Sequence, residues 1–283
     1  MKIGFNVLLW TPYVTEEHFG LFEKLKATGY DGVEIPLFGG DASHYQKVGG
    51  AIKDNGLKCT VVTVIPDEEH NPISVEPKHR QGAIDYLKNV LDCSVALEAE
   101  VLCGPFYQPL GVFSGQGPTG GEKKHAADVH REVADIAQKA NIKLAIESLN
   151  RFECYFLNTL DDAAEYVRLV NHPNFGVMYD TFHGNIEEKY PVGSITDNIE
   201  MLTHFHVSEN DRGTPGRGHI CWPEIFSSLR NGGYDGWLTI EAFGRDLPDL
   251  AATTRVWRDL SGSPEECYTE GYELIKTQWE TTG

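Results

Sequence analysis

Eight short apolar runs recur along the chain, and their rhythm limits the fold more than any other feature. They are KIGFNVLLW (2–10), GVEIPLF (32–38), KCTVVTVI (58–65), VLCGPFY (101–107), KLAIESL (143–149), FGVMYDTF (175–182), LTHFHVSE (202–209) and WLTIEAF (237–243). Each is rich in Val, Ile, Thr and aromatics, the residues that suit a pleated, half-buried surface. Longer amphipathic stretches lie between them. One is TEEHFGLFEKLKATG, with Phe19, Phe22 and Leu25 on one face, Thr15 in the cap region and Gly29 as the stop; another is KHRQGAIDYLKNVLDCSVALEA. Strands alternating with helices imply a parallel sheet. Eight such units in 283 residues leave about 35 residues each, which fits an α/β chain folded as a (β/α)8 TIM barrel. A doubly wound open sheet is the weaker alternative, because no GxGxxG follows the first run. No Pro/Gly/Ser-rich linker divides the chain, so residues 1–283 are expected to form a single barrel domain with a C-terminal helix in SGSPEECYTEGYELIKTQWETTG. The Gly-rich piece GVFSGQGPTGGEKKH (111–125) reads as a loop after the fourth strand.

Charge narrows the range of partners. Lys and Arg number 24 against 42 Asp and Glu, so 24 − 42 gives −18, which repels phosphate backbones and anionic membrane surfaces. No apolar run reaches the 18 or so residues that a membrane span needs. The N-terminus lacks a small-residue cleavage site and reads as a first strand. Six cysteines are scattered without a CxxC pair, as expected of reduced thiols in a cytoplasmic protein. The expectation is a cytoplasmic chain that binds neither nucleic acid nor membrane.

Four ligand-type side chains fall near the ends of the last four runs: Glu147, Asp180, His206 and Glu241. By subtraction they are 33, 26 and 35 residues apart, about one βα unit each. In a barrel they would share the C-terminal mouth, where active sites of this architecture lie. Alternation along a strand puts Ala145 with Glu147, and Thr239 with Glu241, on one face, and sends Leu144, Ile146, Leu238 and Ile240 to the other. Any one of the four could be a solvated loop residue or a salt-bridge partner; four at matched heights point to a site. Three carboxylates and an imidazole make a hard, oxygen-rich donor set, suited to Mn²⁺, Mg²⁺ or Co²⁺. His204 shares the face of His206 one layer deeper and reads as a hydrogen-bonded barrel residue. Glu34 is expected to point to the mouth, and Phe5, Trp10, Phe38 and Tyr107 are candidates for its far wall.

The stretches IESLNRFE, YDTFHGNIEE, HFHVSENDRGTPGRGHICWPEIFSSL and GYDGWLTIEAF resemble the ketose 3-epimerases, the D-tagatose/D-allulose 3-epimerase group within the xylose-isomerase-like barrels. The likeness runs through most of the chain and is strongest from 143 to 260. It implies one divalent ion, commonly Mn²⁺, held by Glu147, Asp180, His206 and Glu241. It also implies that Glu147 and Glu241 move the proton, and that Glu153, His183 and Arg212 hold the O1–O3 end of the sugar. Dimers or tetramers are implied as well. The piece GPFYQPLGVFSGQGPTGG departs from the family in lacking a tryptophan, which bears on sugar preference and not on the metal or acid/base residues.

The expected reaction is inversion at C3 of a free ketose, such as D-tagatose, D-fructose/D-allulose or a ketopentose, through a cis-enediolate. The last run leads into GRDLPDLAATTR, which offers no basic or Gly-rich phosphate cradle. An aldose–ketose isomerase or a keto-sugar (inosose) dehydratase on the same scaffold is the alternative. An abasic-site nuclease would want a basic face and a richer histidine set, and a pure binding protein would have no use for paired acids.

Overall fold

The computed structural model describes residues 1–281; Thr282 and Gly283, the end of the expected terminal segment, lie outside the described residues. Eight parallel strands close into a barrel in sequence order: β1 (Lys2–Asn6), β2 (Gly32–Pro36), β3 (Lys58–Val62), β4 (Val101–Gly104), β5 (Lys143–Glu147), β6 (Phe175–Asp180), β7 (Leu202–Val207) and β8 (Trp237–Ile240). The closing pair runs from Lys2 opposite Trp237 to Phe5 opposite Ile240. Around the barrel lie α1 (Gly20–Thr28), α2 (Ala42–Asp54), α3 (Pro77–Ala96), α4 (Gly120–Lys139), α5 (Leu160–Val170), α6 (Thr181–Glu187), α7 (Pro191–Asn198), α8 (Trp222–Asn231), α9 (Pro248–Thr254) and α10 (Pro264–Thr281).

Every strand starts at the first residue of its apolar run and stops two to four residues before the run ends. Of the surplus apolar residues, Leu8, Phe38, Val64, Leu149 and Phe243 line the mouth. Val7–Leu9 coil into a 3₁₀ turn capped by the Asn6 side chain. Thr181 and Phe182 open α6, whose N-terminus is capped by Asp180. The Gly-rich loop after β4 ends in a capping box between Thr119 and Glu122, where α4 begins.

Alternation sorts the side chains as expected. Phe5, Leu144, Ile146, Leu238 and Ile240 pack outward in the layer beneath the helices. Val101, Cys103, Ala145, Met178 and Trp237 fill the barrel's interior column. Trp237 forms its floor. A Cβ at Gly32 would stand 2.5 Å from the Trp237 indole, and one at Gly4 would stand 3.3 Å from it, so the ring lies flush against two strands that carry no side chain there. Its Nε1 donates to Glu100 Oε2 at 3.0 Å, and Lys2 and Lys58 pair with the same carboxylate.

Candidate active site

At the C-terminal mouth lies a cavity of 410 Å³. Glu147, Glu153, His183, Arg212 and Glu241 line one side, and Leu8, Phe38, Val62, Leu110 and Phe243 are among the apolar residues on the other. Of the four aromatic candidates for the far wall, which could equally have been barrel packing, only Phe38 lines this cavity. Phe5 points outward because its neighbour Asn6 points in, and Trp10 packs on Phe5 and Tyr268 with ring centroids 5.1 and 6.2 Å away. Tyr107 is buried with its hydroxyl 3.2 Å from Cys154 Sγ.

Two overlapping groups of ligand-type atoms meet at Asp180. One is Asp180, His206 and Glu241; the other is Glu147, Asp180 and His183; within each group the atoms lie within 4.8 Å of one another. The four carboxylate and imidazole groups singled out by spacing thus form one connected cluster, with His183 beside it. His206 Nδ1 stands 3.5 Å from Glu241 Oε2 and 3.8 Å from Asp180 Oδ2.

Arg212 lies across this cluster and answers for its charge. Its Nη1 donates to Asp180 Oδ2 at 2.7 Å, to Glu241 Oε2 at 2.6 Å and to Ser208 Oγ at 3.1 Å. The guanidinium is sandwiched between the Phe182 and Phe243 rings, 4.0 and 5.0 Å from their centroids. The backbone of Arg212 sits at φ +69, a left-handed conformation that costs a non-glycine residue about 1 kcal/mol. It is held there by its N–H to the Glu209 carbonyl and by Phe243 N–H to its own carbonyl. Glu209 secures the rest of the loop. Its Oε1 accepts from the Asn210 and Ile220 N–H groups, and its Oε2 from Gly216 N–H and Trp222 Nε1–H.

Burial and charge pull these groups in different directions. Burial, together with the Glu241 and Asp180 carboxylates, pushes the Glu147 carboxyl well above the usual range, against the pull of His206 and Arg212. Burial also works against an ionised Asp180, but Arg212, His206 and His183 outweigh it and hold that carboxyl low. Burial opposes charge on His206, yet Glu34 and Glu241 raise its pKa well above the ordinary histidine value. His183 is lowered, by burial first and then by Arg212.

His183 is oriented by the NRFE loop. The Asn150 backbone N–H donates to its Nδ1 at 3.1 Å, which assigns the ring proton of the neutral imidazole to Nε2. Nε2 faces Arg212 Nη2 at 2.9 Å, so two donors converge on one space, with Glu147 Oε1 3.8 Å from the same nitrogen. Glu153 is half-buried and accepts from Asn150 Nδ2 at 2.7 Å. Arg151 turns away to solvent and pairs with Glu187 at 3.0 Å.

Glu34 corrects an expectation. It points inward but lies below the mouth, fully buried against Asn6, Thr60, Cys103, His204 and His206. Asn6 and Glu209 were not foreseen. An amide at a strand end and a glutamate among SENDRG carry no spacing signal of their own.

Comparison with known proteins agrees with this geometry. The family model for the xylose isomerase-like TIM barrel matches residues 22–277. A ketose 3-epimerase of Arthrobacter globiformis is 31% identical over 279 residues, covering 98% of this chain and 96% of that protein. The crystal structure of a D-psicose 3-epimerase with D-tagatose from Clostridium cellulolyticum superposes with a TM-score of 0.89 at 29% identity, covering 100% and 99% of the two chains. A D-allulose 3-epimerase of Methylomonas sp., solved with D-allulose, gives a TM-score of 0.91 at 25% identity over 98% and 97%. The chain belongs to the xylose isomerase-like TIM barrel family and, within it, to the ketose 3-epimerases, a group of isomerases.

Proposed function

We propose that this enzyme inverts C3 of a free ketose, with Glu147 and Glu241 moving the proton and one divalent ion held by Glu147, Asp180, His206 and Glu241. The observation that carries the reading is the convergence of these four groups with Arg212 and His183 at one barrel mouth. The donor set fits a hard dication. Three buried carboxylates crowd the cluster, one guanidinium bridges two of them, and His206 Nδ1 is buried without a hydrogen-bond partner. Such an ion supplies Lewis-acid stabilisation of charge on the sugar's C2 oxygen.

The chain's own groups account for the rest. The donors on His183 Nε2 and Arg212 Nη2 converge on a point that suits the C2 oxygen, where negative charge develops as the C3 proton leaves. Glu241 is fixed by Asn6 Nδ2 at 3.0 Å and Arg212 at 2.6 Å, as a positioned base should be. Among the described residues, the only ion-pair contact of Glu147 is His183 Nε2 at 3.8 Å, which leaves its carboxyl free to pass a proton. Glu153, which lines the same cavity, would take the O1 hydroxyl. Arg212 is the only Lys or Arg lining the cavity, where α9 contributes Asp249, and this favours an unphosphorylated sugar. D-Tagatose, D-fructose/D-allulose and ketopentoses are the substrates to try, with Mn²⁺ ahead of Co²⁺ and Mg²⁺. A cytoplasmic homodimer or homotetramer is the proposed working form.

The test is a panel of free ketoses with Mn²⁺ in D₂O. The C3 epimer and deuterium at C3 are expected. Glu147→Gln and Glu241→Gln should each cost at least about 10²-fold in turnover. Glucose or mannose from D-fructose would instead indicate an aldose–ketose isomerase, and an enone absorbance a dehydratase.

A further inference from the structure

One buried carboxylate ties the mouth to the barrel core. Glu34 has no exposed surface. Its Oε1 accepts from His206 Nε2 at 2.7 Å and from Asn6 Nδ2 at 3.0 Å. Its Oε2 accepts from Thr60 Oγ1 at 2.9 Å and Cys103 Sγ at 3.3 Å, and lies 2.8 Å from His204 Nε2. The same Asn6 amide also donates to Glu241 Oε1 at 3.0 Å, and the Leu8 N–H donates to Asn6 Oδ1, which fixes the amide's orientation.

Both oxygens of Glu34 are therefore engaged, and neither His206 nor Glu241 can turn without breaking a buried hydrogen bond. His206 commits Nε2 to Glu34 and leaves Nδ1 toward Asp180 and Glu241. Glu241 commits Oε1 to Asn6 and leaves Oε2 at the cluster. A buried carboxylate is costly where packing alone would serve. A histidine that binds a metal through one nitrogen characteristically donates the other N–H to such a partner. We propose that Glu34 and Asn6 are positioning residues, which select His206 Nδ1 and Glu241 Oε2 as the atoms presented at the mouth. The inference rests on the proposed divalent-ion site and extends it to the buried residues that touch His206 and Glu241 directly.

The experiment compares wild type with Glu34→Met, Glu34→Gln and Asn6→Ala. Metal-free proteins are titrated with Mn²⁺ and Zn²⁺ against a competing chelator, and their unfolding without metal is recorded as a control. Wild type should bind one ion per chain. Glu34→Met should weaken binding about 10–100-fold while the metal-free protein still unfolds cooperatively. Glu34→Gln should fall between the two, because its amide oxygen can still accept from His206 Nε2–H. In the Zn²⁺-loaded, ¹⁵N-histidine-labelled wild type, the proton of His206 should be on Nε2.

Affinity within about twofold of wild type in Glu34→Met overturns the proposal. So does a second ion in wild type that this variant loses, since Glu34, Cys103, His204 and His206 would then themselves be a metal site. Should Glu34→Met not fold, unchanged affinity in both other variants refutes it equally. Tight binding of one ion without C3 exchange sinks the epimerase reading and leaves the positioning role standing; no ion bound by wild type sinks both.

Discussion

Replacing Arg212 with methionine takes one positive charge out of a nest of buried carboxylates while keeping an unbranched chain between the Phe182 and Phe243 rings. Arg212 is 7% exposed, so solvent does little to screen what it leaves behind. Removing one partner of a buried ion pair costs about 3–5 kcal/mol. Unfolding entropy of about 2.1 cal/mol/K per residue gives ~0.6 kcal/mol/K for a chain of this length, so the metal-free variant should melt ~5–8 °C below wild type near neutral pH. The deficit should depend on pH, and its sign is fixed. In wild type, Arg212 helps hold the folded Asp180 carboxyl below its unfolded value; that stabilisation is present above the unfolded pKa of about 4 and lost as pH falls below it. Without the guanidinium the crowded carboxylates take up protons in the folded state, so the variant gains on wild type as the solution is acidified. Saturating Mn²⁺ should raise the variant's melting temperature more than wild type's, because a dication replaces the missing charge. Differential scanning fluorimetry of chelator-treated protein at about pH 3.5 and about pH 8, with Mn²⁺ added at the higher pH, reads all of this. A loss under about 2 °C at the higher pH, or an equal loss at both, would refute the account of Arg212 as the cluster's counter-charge.

His130 makes a separate prediction. It is buried between Tyr166 Oη at 2.6 Å and the Phe106 carbonyl at 3.0 Å, and burial lowers its pKa to about 4. The unfolded chain gains this proton near pH 6.5 and the folded chain only near 4, so stability falls across that window by about 3 kcal/mol. Urea melts of His130→Phe should show a smaller loss between about pH 7 and pH 5 than wild type. Glu209→Gln must turn an amide N–H₂ toward either the Asn210 and Ile220 N–H groups or those of Gly216 and Trp222; two unmet donors should cost about 2–6 kcal/mol and lower kcat by loosening Arg212, as unfolding and turnover together would reveal. Gly218→Ala should share the direction of that effect, since a Cβ there would meet the Glu209 carboxylate.

The barrel was legible because strand parity and unit spacing are local properties. All eight strand starts and the inward set Ala145, Glu147, Thr239 and Glu241 follow from them. Strand ends were overrun because the mouth loops are as apolar as the strands; Val7–Leu9 is buried in a 3₁₀ turn, and no periodicity separates it from β1. Depth was less legible than direction. Glu34 faces inward as alternation requires, but its height depends on the register of β2 against β1 and β3, a relation between distant segments. The same holds for Asn6, whose amide spans from Glu34 to Glu241, 207 positions apart by subtraction, and for Glu209, whose partners come from both ends of a folded-back loop. Arg212 is named by the family resemblance, but nothing in its place beside Asp211 announces the left-handed backbone that turns it under the aromatic rings.

The barrel axis is packed from the Trp237 indole at the base up through Met178, Ala145 and Cys103, so it offers a sugar no passage beneath the site. Whatever enters at the rim must leave by the rim, and a second guest has to wait until the first has gone. Two sugars differing only at one carbon would then exclude each other outright, so each epimer should inhibit conversion of the other in a purely competitive way, in both directions of the reaction.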